Sequence, residues 1–90
     1  MNQSTRPPPP KVLLVHNGSG YEAHVKHFTD AGLRVSETHA ESALSDATSI
    51  QPDIIVLDFG CDGDVTRELK GHAATRLIPV IALVDLMPEA

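Results

Sequence analysis

Asp58 is the side chain that this sequence places best for chemistry. It directly follows the apolar run Ile54-Ile55-Val56-Leu57, most of which is β-branched. Such a run predicts a strand buried on both faces of a parallel sheet, and Pro52 just before it interrupts no strand hydrogen bond. In open parallel sheets, ligands bind just beyond the carboxyl ends of the strands. Asp58 is therefore predicted to be a functional carboxylate, and a strand cap or turn residue is the structural alternative.

A glycine-rich segment offers a second candidate site. Gly18-Ser19-Gly20-Tyr21-Glu22-Ala23 fits the G-x-G-x-x-G/A pattern between a strand and a helix, and Glu37 ends the next predicted strand. Small residues at such a turn let a pyrophosphate reach the helix N-terminus. The segment Gly18-Ser19-Gly20 thus predicts a nucleotide-binding half-domain as an alternative function, although Glu37 comes early for the acid that binds a ribose. Saturable binding of NADH or ATP would test it.

The remaining reactive side chains form no recognisable catalytic set. Cys61 lies in a loop beside Asp62, where no adjacent cation would activate a thiol. His24 and His27 lie on a predicted helix face without a carboxylate or a cysteine, so they are not expected to bind a metal. The sequence shows no Ser/His/Asp or Cys/His arrangement and no zinc-ligand spacing. We therefore predict that the chain is not an enzyme.

Composition restricts the class of protein. The 90 residues suffice for one domain, and with 3% aromatic residues its core must be aliphatic. A net charge of −5 argues against binding to nucleic acid, whose phosphates require a basic surface. The single cysteine excludes an internal disulfide and fits a reducing compartment. No apolar run approaches the roughly 20 residues of a membrane span, and Met1–Pro10 lacks the apolar segment of a secretory signal, so we predict a cytoplasmic protein without a membrane partner.

Strands and helices alternate along the sequence and would position these groups. The apolar runs predict four strands, at Lys11–Val15, Leu33–Glu37, Ile54–Asp58 and Leu77–Leu83. Apolar residues at helical spacing predict three helices between them, at Gly20–Ala31 with Gly32 as its C-cap, at Ala40–Ile50, and around Val65 and Leu69. This alternation predicts an α/β fold with a parallel sheet and right-handed crossovers.

Three of these segments together carry a resemblance to a known family. Gln51-Pro52-Asp53-Ile54-Ile55-Val56-Leu57-Asp58, Thr75-Arg76-Leu77-Ile78-Pro79-Val80-Ile81-Ala82-Leu83 and the strand Lys11–Val15 resemble the receiver domain of two-component response regulators. The resemblance implies a flavodoxin-like open parallel sheet, with strands in the order 2-1-3-4 and helices on both faces. It also implies that Asp58 is the phospho-acceptor of a phosphorelay, with a sensor histidine kinase or a phosphotransfer protein as its partner.

The predicted pocket around Asp58 departs from the family pattern. The resemblance implies a Mg²⁺ ion and a Lys that neutralise the charge of the transferred phosphoryl group. His16 and Asn17 replace the acidic pair expected after the first strand, Val84 replaces the hydroxyl residue expected after the fourth, and no Lys follows Lys70. Only Asn17 and Asp58 would offer oxygen ligands to a Mg²⁺ ion there.

These substitutions leave two functions open for the receiver-like module. In the first, Asp58 is phosphorylated in a two-component phosphorelay. In the second, the chain is a phosphorylation-independent protein interaction module. We add the hypothesis that a protonated His16, on the strand next to Asp58, supplies the positive charge that a metal would supply. The structural alternative is that both are solvated residues at strand ends.

The resemblance also predicts how the chain is organised. We expect residues 1–10, which end in four prolines, to be a disordered Pro-rich leader, and residues 11–90 to be a partial receiver-like domain. A full receiver domain adds a helix, a fifth strand and a last helix, so this partial domain would lack the usual last strand and helix. One sheet face would then be partly uncovered. We therefore expect a homodimer, or a protein partner that covers this face.

Overall fold

Alternating strands and helices run through the residues that the computed structural model describes, which are 8–18, 20–58 and 63–83. In chain order they are β1 (Lys11–His16), α1 (Glu22–Asp30), β2 (Arg34–His39), α2 (Ala43–Ile50), β3 (Ile54–Leu57), α3 (Gly63–Lys70) and β4 (Val80–Ala82). A single 3-10 turn, Ala40–Ser42, precedes α2. No helix within the described ranges is long and apolar enough to cross a membrane.

The four strands form one parallel sheet in the order β2-β1-β3-β4. The two most apolar strands, β1 and β3, are the inner pair, and Val12 of β1 lies opposite both Val35 and Ile54. Continuous apolar runs occupy the centre because both of their faces are covered there. The predicted α/β class, the parallel sheet and the strand order are confirmed.

Each face of the sheet packs against different helices. On one face, α2 and α3 cover alternate residues of β1 and β3, and this larger core consists of Leu13, Val15, Ala43, Ala47, Ile55, Leu57, Val65 and Leu69. On the other face, α1 covers Val12, Leu14 and Val56 with partly buried side chains. The predicted helices on both faces are therefore confirmed. None of the nine residues of α1 is itself buried, so this face is the less completely covered one.

The C-terminal end of α1 is set by Gly32, as predicted. Gly32 has a φ of +93°, its N–H donates to the Thr29 carbonyl at 3.0 Å, and the Leu33 N–H donates to the Phe28 carbonyl at 3.1 Å. This pair of bonds is a Schellman motif, and the accompanying apolar contact joins the side chains of Phe28 and Leu33 in the α1 core. The helix begins later than predicted, because Tyr21 is its N-cap.

The last strand is shorter than the predicted Leu77–Leu83. Residues 72–78 form turns, in which the Arg76 N–H donates to the His72 carbonyl at 2.8 Å. The Thr75 hydroxyl, fully buried, donates to the Leu69 carbonyl at 2.5 Å. Pairing with β3 starts only at the Pro79 carbonyl, which accepts from the Ile55 N–H. Leu77 is consequently 85% exposed rather than part of the sheet.

The N-terminal part of the chain is described from residue 8 onward. The carbonyls of Pro9 and Pro10 accept hydrogen bonds from the Arg34 side chain and backbone, both at 3.0 Å. These bonds join the end of the predicted leader to the start of β2. The prediction for residues 1–7 lies outside the described residues.

The expected association stays a prediction. Ile81 lies opposite Val56 on the α1 face of the sheet and is 49% exposed. Exposed apolar side chains at a sheet edge favour self-association. We expect a mass above that of one 9.6 kDa chain in light scattering at micromolar concentration, and a constant monomer mass across that range would contradict it.

Candidate functional site

Asp58 lies where the sequence predicted it, directly after β3 at the carboxyl edge of the sheet. Its backbone N–H donates to the Val15 carbonyl at 2.8 Å, which continues the pairing of β3 with β1. Strand alternation places its side chain on the same face as Val56, under α1. The residue is 3% exposed, so its carboxylate is a buried group and not a solvated strand end.

His24 of α1 contacts this carboxylate. The distance from His24 Nε2 to Asp58 Oδ1 is 3.1 Å, and the two side chains are 27% and 2% exposed. A buried carboxylate needs such a partner, because leaving it without hydrogen bonds would cost several kcal/mol, roughly 2–7 for a polar group. The contact fixes the first turns of α1 over the end of β3, and it occupies an oxygen that phosphoryl transfer would use.

His16 bonds to other groups. It is buried, its Nδ1 accepts the Gly18 backbone N–H at 3.0 Å, and its Nε2 lies 2.5 Å from Glu37 Oε1. With Nδ1 as the acceptor from Gly18, Nε2 is the nitrogen that donates to Glu37. Both ring nitrogens are therefore directed at Gly18 and Glu37 rather than at Asp58. The histidine that contacts Asp58 is His24, whereas His16 contacts Glu37. The charge proposed for His16 stays a prediction.

Two further aromatic rings pack around His16. Tyr21 stacks on it with ring centroids 3.7 Å apart and an interplanar angle of 5°, and His39 meets it edge-on at 5.8 Å. Together, His16, Tyr21, Glu37 and His39 form what we call the His16 cluster. Since Tyr21 and His24 lie one helical turn apart, the start of α1 is held by the His16 cluster and by Asp58 at the same time.

The described residues do not form a Mg²⁺ site by themselves. Asn17 is exposed, and the nitrogens of His16 are both engaged in hydrogen bonds. Among the residues described, no group of three or more His, Cys, Asp or Glu side chains could hold a metal ion. A hard cation requires several oxygen ligands, so Asn17 and Asp58 as ligands of a Mg²⁺ ion stay a prediction.

Part of the predicted pocket lies outside the described residues. This applies to Val84, to Ser19 and to the loop of Phe59, Gly60, Cys61 and Asp62. The role assigned to Val84 in the pocket, and the interpretation of Cys61 as a loop residue, stay predictions.

The groups that would bind a nucleotide are already bonded to other residues of the chain. The Gly18 N–H, which would face a phosphate, donates to His16, and Glu37, the candidate ribose ligand, accepts from the same ring. Glu22 places a carboxylate in the first turn of α1, where it would repel a phosphate. Gly18 and Gly20 have the positive φ angles of a tight turn, +112° and +75°. Their conformation is explained by the turn itself.

His24 is the site residue that the sequence did not reveal. Its spacing suggested a face shared with His27, away from the apolar positions Tyr21, Val25 and Phe28. Its position in the sequence could have predicted the contact. His24 lies three residues after Tyr21 and one before Val25, both of which point inward, on the helix that follows β1. Such a helix crosses over the sheet to reach β2, so a polar side chain near its start lies close to the carboxyl ends of the strands.

Comparison with known proteins agrees with this architecture. No family model matches the sequence, and no curated protein matches it. Among solved structures, the crystal structure of a response regulator from Desulfuromonas acetoxidans superposes with a TM-score of 0.70 at 22% sequence identity. The match covers 82% of this chain and 65% of that one, so the chain spans just under two thirds of the length of that structure. The chain has the flavodoxin-like fold of a receiver domain, as the resemblance implied.

Proposed function

We propose that this chain is a receiver-like module of two-component signal transduction that acts by binding a protein partner without phosphorylation of Asp58. The observation that carries the proposal is the contact between His24 and Asp58 in a buried setting. A buried carboxylate that contacts His24 holds α1 against the end of β3 and so has a structural role.

Chemistry at the site supports the same conclusion. For phosphoryl transfer, a carboxylate oxygen attacks phosphorus in line, and cations must neutralise the charge on the transferred oxygens. Removing one such charge-stabilising group costs about 10²–10³ in rate. The described residues around Asp58 provide no metal-ligand cluster, and the nitrogens of His16 contact Gly18 and Glu37 rather than Asp58. Among the described residues, Asp58 thus has neither a metal-ligand cluster nor the His16 ring beside it.

A phosphorelay through Asp58 is the second candidate function. It is favoured by the position of Asp58 at the carboxyl end of β3 in a receiver-like fold. A phosphohistidine of a sensor histidine kinase or a phosphotransfer protein would be the donor. His24 would have to leave Asp58 Oδ1, or donate a hydrogen bond to the phosphoryl group.

A mass measurement separates the two functions. We expect no phosphoryl adduct on the chain after incubation with acetyl phosphate and Mg²⁺, because the residues that the structure describes form no metal-ligand cluster at Asp58 and His24 contacts its carboxylate. We also expect beryllofluoride to leave its ¹H–¹⁵N spectrum unchanged. The matched control is Asp58→Asn, which should behave identically. An adduct on the wild-type chain that is lost in Asp58→Asn would overturn the proposal and establish the phosphorelay.

A further inference from the structure

A cleft runs along α1 on the side away from β3. It has a volume of about 400 Å³ and lies between α1 and the edge strand β2. Its apolar wall is the stripe of Tyr21, Val25 and Thr29, at helical spacing of four, and Glu37 of β2 faces it. This volume is within the range of known ligand sites, about 300–1,000 Å³.

The apolar wall is not fully covered by the chain's own residues. Tyr21 and Val25 contact the core under α1 but are only partly buried, and no residue of α1 is buried completely. By contrast, α2 buries Ala43 and Ala47 completely. The open side of Tyr21 and Val25 faces the cleft, so an apolar group placed there would remove further surface from water.

The rim of the cleft is acidic. It carries the carboxylates of Glu22, Asp30 and Glu37 and one amine, Lys26. The Lys26 Nζ is paired with Asp30 Oδ2 at 2.8 Å. Glu37 lies 2.5 Å from His16 Nε2, and its side chain is 47% exposed. Of the four charged side chains that line the cleft, three are acidic and one is basic, so the lining has a formal charge of −2.

We propose that this cleft binds an extended basic segment of a partner protein, in which Lys or Arg residues flank an apolar side chain. The apolar side chain packs on Tyr21 and Val25, and the cations lie near Glu22 and Glu37. The stripe from Tyr21 to Thr29 spans eight helical steps, about 12 Å, which matches about four residues of extended chain. The proposal rests on the proposed binding function and names its surface.

The experiment is an NMR titration of the ¹⁵N-labelled full chain with the peptide Lys-Leu-Lys-Leu-Lys. We expect saturable shift changes in residues 21–30 and around Glu37, and none with the acidic peptide Glu-Leu-Glu-Leu-Glu. Glu22→Lys should weaken binding by about tenfold or more, because it places like charges together. The matched control is Glu41→Lys, an exposed residue just before α2 on the other sheet face, which should leave binding within about twofold because a charge there is screened.

A second variant tests the cleft without a change of charge. Thr29 is exposed on the wall of the cleft, so Thr29→Trp should fill it and abolish the shifts, whereas Ser49→Trp on exposed α2 surface should not. Shift changes outside α1 and β2, or equal weakening by Glu22→Lys and Glu41→Lys, would overturn the proposal. Phosphorylation of Asp58 would overturn the proposed function alone, since the cleft does not include Asp58.

Discussion

Replacing His24 with alanine is expected to lower the free energy of unfolding by about 2 kcal/mol. The variant leaves the Asp58 carboxylate buried without its imidazole partner. Breaking a fully buried ion pair costs about 3–5 kcal/mol. The smaller figure applies here because 27% of the His24 side chain is exposed and water can replace part of the contact. Urea unfolding followed by circular dichroism measures the change.

Two comparisons identify the His24 contact as the cause. His27→Ala removes an exposed imidazole from the same helix and should change stability by less than about 0.5 kcal/mol. In a double-mutant cycle of His24→Ala with Asp58→Asn, the coupling energy should be about 1 kcal/mol or more. A coupling of zero would show that Asp58 does not depend on His24, and the structural role assigned to Asp58 would fail with it.

Leu13→Ala is expected to lower the free energy of unfolding by about 3 kcal/mol, within the range for buried leucines. Leu13 is 0% exposed, in the middle of β1 between β2 and β3. Removing its isopropyl group leaves a cavity in the α2–α3 core that the strands cannot close. A domain of this size has a total stability of about 5–10 kcal/mol, so chemical denaturation should show the loss clearly.

An exposed leucine of the same chain provides the control for Leu13→Ala. Leu77 is 85% exposed, and Leu77→Ala should change stability by less than about 0.5 kcal/mol in the monomer. If both variants cost the same, residues 72–78 would have to belong to the sheet, as the sequence pattern first suggested, and the short β4 would be incorrect.

The His24 contact also helps to fix the position of α1 on the sheet. Near the carboxyl edge of the sheet, α1 is held in place by His16, which stacks on Tyr21, and by His24, which contacts Asp58. The same helix lines the acidic cleft with Tyr21, Val25 and Thr29. The contacts that occupy Asp58 therefore also position the surface that we propose for partner binding.

Local patterns in the sequence determined most of the fold. The apolar runs of β1 and β3 predicted two inner parallel strands, because only a strand covered on both faces tolerates such a run. Gly32 predicted the end of α1, since glycine adopts the positive φ that a Schellman motif requires. The order of elements placed Asp58 at the carboxyl edge of the sheet, as a property of every open parallel sheet.

The tertiary structure alone decided which groups meet at that edge. The sequence pairs neither His24 with Asp58 nor His16 with Glu37. The first pair depends on how α1 packs over the end of β3, and the second on how β2 pairs with β1. The same holds for the cleft, which exists only once α1 and β2 are packed. Hydrophobic periodicity is a property of one element at a time, whereas the pairing of polar side chains depends on the relative placement of two.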